Sequence, residues 1–133
     1  MTPDTVASFM TPNPVTIERD QPLSAASFLM RENGIRHLPV TDGEHVVGLV
    51  SERDLSLVLN FKDVDPEESP VEEAMTEAPY VVRPDTPLHE VARTMAENRF
   101  GSALVMDGDQ LVGVFTTVDA LRVLERMTAS GPH

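Results

Sequence analysis

The 133-residue chain has no cysteine. That excludes a disulfide framework, a zinc–thiolate centre and a thiol nucleophile. Basic residues are scarce: 10 Lys and Arg stand against 22 Asp and Glu, a formal charge of −12. Attachment to nucleic acid or to an anionic membrane needs a basic face, so this balance argues against both. An anionic ligand would have to be held by a local cluster of donors working against the global field. No apolar run approaches the roughly 20 residues that cross a bilayer. Residues 1–10 are polar, carry Asp4 and lack the basic start and apolar stretch of a signal peptide, so the sequence predicts a cytoplasmic protein. Phosphate-binding glycine loops and nucleophile elbows are missing. The histidines, His37, His45, His89 and His133, show no metal-ligand spacing. The expectation is a protein without catalytic activity, metal or required cofactor.

What the chain does contain is a repeat. Met10-Thr11 recurs 65 residues on as Met75-Thr76. In the same register, Pro22-Leu23 matches Pro87-Leu88 and Asp42-Gly43 matches Asp107-Gly108. Val47-Gly48 likewise matches Val112-Gly113, and Asp54 matches Asp119. One ungapped register over such a length marks a duplicated unit. The copies are placed at 6–59 and 71–124, with a polar, acidic linker at 60–70 and a flexible tail at 125–133. A single copy would bury too little surface to be stable alone, so the two are expected to pack as one pseudo-symmetric module.

Each copy reads as strand, helix, strand, strand, helix, an α/β (α+β) unit. Val15-Thr16-Ile17 and Tyr80-Val81-Val82 are short extended pieces. Leu23, Ala26 and Met30 line one helical face, as do Leu88, Val91 and Met95. Pro87 suits a first helical position, with Thr86 as its cap, and Gly34 suits a left-handed helix stop. Leu38-Pro39-Val40 and Val46 to Val50, split by Asp42-Gly43, read as a hairpin, and the second copy repeats it. The apolar runs hardly alternate, so both strand faces should be covered. Helices are predicted to begin near Ser51 and Thr116.

With these residues in place, the chain resembles a tandem CBS domain pair, also called a Bateman module. The likeness is carried by Gly34-Ile35-Arg36-His37-Leu38-Pro39-Val40 and Gly48-Leu49-Val50-Ser51-Glu52-Arg53-Asp54 in the first copy. The second supplies Phe100-Gly101-Ser102-Ala103-Leu104-Val105 and Gly113-Val114-Phe115-Thr116-Thr117-Val118-Asp119. The resemblance implies a stand-alone regulatory module that binds an adenosine-containing ligand, AMP, ADP, ATP or a related compound such as S-adenosylmethionine, in clefts between the copies. It also implies a homodimer acting on an unknown effector protein. A ligand-independent dimerisation or scaffold module is the alternative.

Ser51-x-x-Asp54 and Thr116-x-x-Asp119 are, on spacing alone, capping boxes. The same geometry suits a ligand: a helix N-terminus offers free N–H groups to phosphate, and a carboxylate one turn in can accept both hydroxyls of a ribose. The resemblance assigns Ser51 and Thr116 to phosphate and Asp54 and Asp119 to ribose. Arg36, His37 and Arg53 occur only in the first copy; the second has Gly101, Ser102 and Val118 at the equivalent positions. Solvated surface charge is one reading of the arginines; contact with phosphate, which the resemblance implies, is the other. The resemblance also brings Thr86 to the first motif and Gln21 to the second. It places Thr16, Ile17 and Val81 beside an adenine ring, and Leu38, Pro39, Ser102 and Ala103 along the ligand.

Overall fold

A computed structural model describes residues 4–129. They divide into two compact units that cut the chain differently from the repeat. One unit is Val15–Pro79; the other joins residues 4–14 to 80–129. The opening segment of each copy thus belongs with the body of the other.

The first unit holds a three-stranded sheet, ordered β2-β3-β4. β2 (Ile17–Glu18) runs parallel to β3 (His37–Asp42), which pairs antiparallel with β4 (His45–Ser51). Helix α1 (Leu23–Asn33) precedes the hairpin and α2 (Glu52–Leu59) follows it. Leu23, Ala26 and Met30 are all buried, as their spacing predicts. They join Ile17, Leu38, Val40, Val50, Leu55 and Val71 in one core. α1 stops at Gly34, whose φ of 62° and ψ of 36° lie in the left-handed region. The Ile35 N–H then reaches back to the Met30 carbonyl at 2.9 Å, closing the helix end.

The second unit repeats this with one strand more, in the order β1-β7-β6-β5. β5 (Val81–Val82) is parallel to β6 (Ser102–Asp107), and β6 is antiparallel to β7 (Gln110–Thr116). α3 (Leu88–Asn98) and α4 (Thr117–Ala129) occupy the places of α1 and α2. The additional strand is β1 (Thr11–Pro12), antiparallel to β7. In the first unit, a bridge between Leu49 and Thr76 stands at the corresponding place. Val82, Val91, Met95, Ala103, Val105 and Phe115 form this unit's core with Val6.

Two expectations need correction. α3 begins at Leu88 with Pro87 as its cap position, and no side chain caps it. The free Leu88 N–H is taken instead by the Asp4 carbonyl at 2.9 Å, while the Thr86 hydroxyl accepts from the Arg83 N–H at 3.0 Å. α1 starts the same way, with Leu23 N–H on the Ser69 carbonyl at 2.9 Å. A backbone acceptor from a distant segment thus stands where a side-chain cap was expected. Secondly, α4 continues to Ala129, so residues 125–129 of the expected tail are helical; 130–133 lie outside the described residues. No helix among the described residues is long and apolar enough to cross a membrane.

Candidate functional site

In the first unit, the end of β4, the start of α2 and the start of β3 meet. Ser51 is the cap of α2: its hydroxyl accepts from the Asp54 N–H at 3.0 Å, and the Asp54 carboxylate returns the bond to the Ser51 N–H at 2.9 Å. The capping box is therefore formed. It uses one oxygen of Asp54, Oδ2. The other makes no hydrogen bond among the described residues, and Asp54 is partly open to solvent.

His37 is the ladder partner of Ser51 across the hairpin. The Arg36 carbonyl accepts from the Glu52 N–H at 2.8 Å, tying the start of β3 to the first turn of α2. Arg36, His37, Ser51, Arg53 and Asp54 thus share one junction. Arg36 and Arg53 are exposed. His37 is half-buried, and burial pulls its imidazole below its ordinary pKa of about 6.5. Asp54 and Glu52 oppose that shift, and Arg36 adds to it.

With its folded pKa depressed, His37 binds fewer protons in the folded chain than in the unfolded one between the two values. Stability is therefore full above pH 6.5 and falls as the pH drops toward the folded pKa. Urea unfolding at pH 7.5 and pH 5.5 should show a lower midpoint at the acid pH, with the gap narrowed in His37→Asn. An unchanged gap in that variant would assign the loss elsewhere. Glu18, held below the usual carboxylate range first by the Thr41 hydroxyl and next by the Gly43 N–H, acts only in a window beneath pH 4.5.

The second unit builds the same junction without the cations. Ser102 faces Thr116 in the ladder, and the Thr117 N–H donates to the Gly101 carbonyl at 3.2 Å. The Asp119 Oδ2 accepts from the Thr116 N–H at 2.9 Å and the Thr116 hydroxyl at 3.2 Å. Its Oδ1 accepts from the Thr11 hydroxyl at 3.1 Å. Asp119 is only 7% exposed.

Leu38, Pro39, Ser102 and Ala103 are buried, so their side chains belong to the interior and only their backbone can meet a ligand. Ile17 is buried, while Thr16 beside it and Val81 are exposed. The carbonyls of Gln21 and Thr86 are taken by the N–H groups of Val71 and Val6 at 2.8 and 2.9 Å. Sequence reasoning missed the Tyr80–Phe100 ring pair, centroids 5.3 Å apart. The first copy has Val15 and Ile35 at those positions, and that difference was the available signal. It also missed Thr11. Among the described residues, no three His, Asp or Glu side chains converge as a metal site.

The profile of the CBS domain matches residues 6–60 and again 71–126. A solved structure of a putative acetoin utilization protein (AcuB) from Vibrio cholerae is 33% identical, with a TM-score of 0.82. That match covers 97% of this chain and 98% of that one. CBSX2, solved in complex with AMP, is 30% identical over 93% of this chain and 98% of its own, with a TM-score of 0.77. Inosine-5'-monophosphate dehydrogenase of Korarchaeum cryptofilum is 30% identical over 84% of this chain. The chain spans only 22% of that enzyme's length, and 21% and 43% of the next two curated relatives.

Proposed function

The chain belongs to the CBS domain family, and we propose that it is a regulatory module whose first unit takes a phosphorylated adenosine at the Ser51–Asp54 junction. One observation carries the reading: the Asp54 carboxylate stands at the start of α2 with an oxygen free, beside His37, Arg36 and Arg53. The carboxylate can accept the two ribose hydroxyls, and the Arg53 N–H, left over in the first turn of α2, suits phosphate together with the Arg36 and Arg53 side chains. Thr16, exposed beside β2 of the same unit, is the place for adenine. The similarity to CBSX2, which was solved with AMP, supports this ligand class. In this reading the module does no chemistry. It transmits occupancy, which requires the ligand to favour one of two conformations.

A thermal-shift panel of AMP, ADP, ATP, S-adenosylmethionine and GMP tests it. A ligand bound only by the folded chain raises the melting temperature, by the equivalent of about 2.7 kcal/mol at a hundred times its dissociation constant. One of the adenosine compounds should do so and GMP should not. No shift with any adenosine compound, at millimolar concentration, sinks the reading.

A second reading, ligand-independent association, has its own observation. Val118, Leu121, Leu124 and Met127 lie at helical spacing on α4 and are 49–69% exposed. Such a stripe is what a partner surface covers. We expect a homodimer, and sedimentation at micromolar concentration should give twice the chain mass. Leu121→Glu should shift it to the monomer. A monomeric wild type would remove this reading.

A further inference from the structure

The two junctions differ in a way that the missing cations do not explain. An ionised carboxylate has about four acceptor sites. Asp54 spends one of them, on the Ser51 N–H. Asp119 spends three: on the Thr116 N–H, the Thr116 hydroxyl and the Thr11 hydroxyl. A ribose diol needs two. Asp54 can receive it without rearrangement, whereas Asp119 can receive it only by releasing a hydroxyl that it already holds.

Of those hydroxyls, that of Thr116 lies within the capping box and also accepts from the Asp119 N–H at 3.3 Å. The hydroxyl of Thr11 reaches Asp119 from β1, 108 residues away in sequence. Thr11 is otherwise exposed. Its backbone lies against β7, opposite Val114. Thr76, its repeat partner, holds the matching place opposite Leu49, yet its hydroxyl makes no hydrogen bond to Asp54. Thr11 and Thr76 therefore differ by one side-chain bond at matching backbone positions.

We propose that Thr11 is an internal latch: its hydroxyl occupies Asp119 in place of a ribose hydroxyl and sets the affinity of the second unit for adenosine ligands. The proposal rests on the adenosine reading above. It makes the second unit's occupancy depend on the seating of the segment that carries β1, so anything that lifts Thr11 from β7 opens Asp119.

AMP titrations followed by two-dimensional NMR test this on the full chain, since the amides of 51–54 and 116–119 report the two units separately. Thr11→Val keeps the shape, removes the hydroxyl and lies at an exposed position. It should tighten AMP at the 116–119 amides about ten-fold, the worth of one hydrogen bond to a charged group, and leave the 51–54 response unchanged. Thr11→Ser, which keeps the hydroxyl, should match the wild type, and Thr76→Val should alter neither unit. If AMP binds the first unit and Thr11→Val leaves the second unchanged, or weakens it, the latch is wrong while the adenosine reading stands. If the amides of neither unit respond to AMP in either protein, the adenosine reading falls and the latch with it.

Discussion

Replacing Asp54 with alanine is expected to weaken the tighter adenosine-binding event by on the order of 100-fold or more, while Asp119→Ala leaves that event within about two-fold. The first magnitude comes from losing two hydrogen bonds to a charged group, each worth about 1.5–3 kcal/mol. The second reflects the near-additivity of sites without shared partners. The asymmetry has two sources. The first junction has Arg36, His37 and Arg53 within it, where the second has Gly101, Ser102 and Val118. The Asp54 oxygen is free, while both Asp119 oxygens are engaged. Calorimetry with AMP on the two variants measures it. Asp54→Ala also removes half of the α2 capping box, at about 1 kcal/mol of stability. Asp54→Asn serves as the second variant, because an amide oxygen still accepts from the Ser51 N–H but the carboxylate charge that meets the ribose diol is gone. If Asp119→Ala removes the tighter event, or both variants lose equally, the assignment of the phosphate-bearing half is reversed or void. Affinity that rests on exposed Arg36 and Arg53 should also fall as salt rises.

The parts of this site that a sequence displays are the local ones. Ser51-x-x-Asp54 declares a capping box because cap and acid are three residues apart on one turn, and that box is present atom for atom. The helical faces of Leu23-Ala26-Met30 and Leu88-Val91-Met95 are legible for the same reason. Pairings between distant segments leave no periodic trace. Nothing near Asp119 announces Thr11, and nothing near Leu88 announces that Asp4 will satisfy its N–H in place of Thr86. The burial of Leu38, Pro39, Ser102 and Ala103 was half-legible: the apolar runs said that both strand faces are covered, which by itself turns those side chains inward. The exchange of opening segments between the repeat copies was not legible, since a repeat fixes what is copied and not which copy packs with which.

That exchange explains why Met-Thr and Val-Gly recur together. Gly48 lies in β4 and Gly113 in β7, and neither has a positive φ, so the demand for glycine is one of space. A Cβ at Gly48 would lie 2.7 Å from the Met75 Sδ and 2.7 Å from the Thr76 carbonyl oxygen. At Gly113 it would strike the Met10 Sδ outright, with the Thr11 carbonyl oxygen at 3.0 Å. The two obstacles differ in kind. The Thr76 oxygen is backbone, fixed by reciprocal hydrogen bonds with Leu49 at 2.7 and 3.0 Å, whereas Met10 is a flexible side chain. Gly48→Ala is therefore expected to cost about 1–3 kcal/mol, the range for forcing an extra carbon into packed structure, and to lower the urea midpoint without changing the slope. Gly113→Ala should also destabilise, but Met10→Ala should relieve it, giving a clear coupling energy in the double-mutant cycle. Met75→Ala should relieve Gly48→Ala much less, because the carbonyl of Thr76 remains in the way. A Gly48→Ala protein as stable as the wild type would mean that the Met75-Thr76 segment does not lie against β4 as described. Equal relief in the two cycles would mean that side-chain crowding alone selects glycine at both positions.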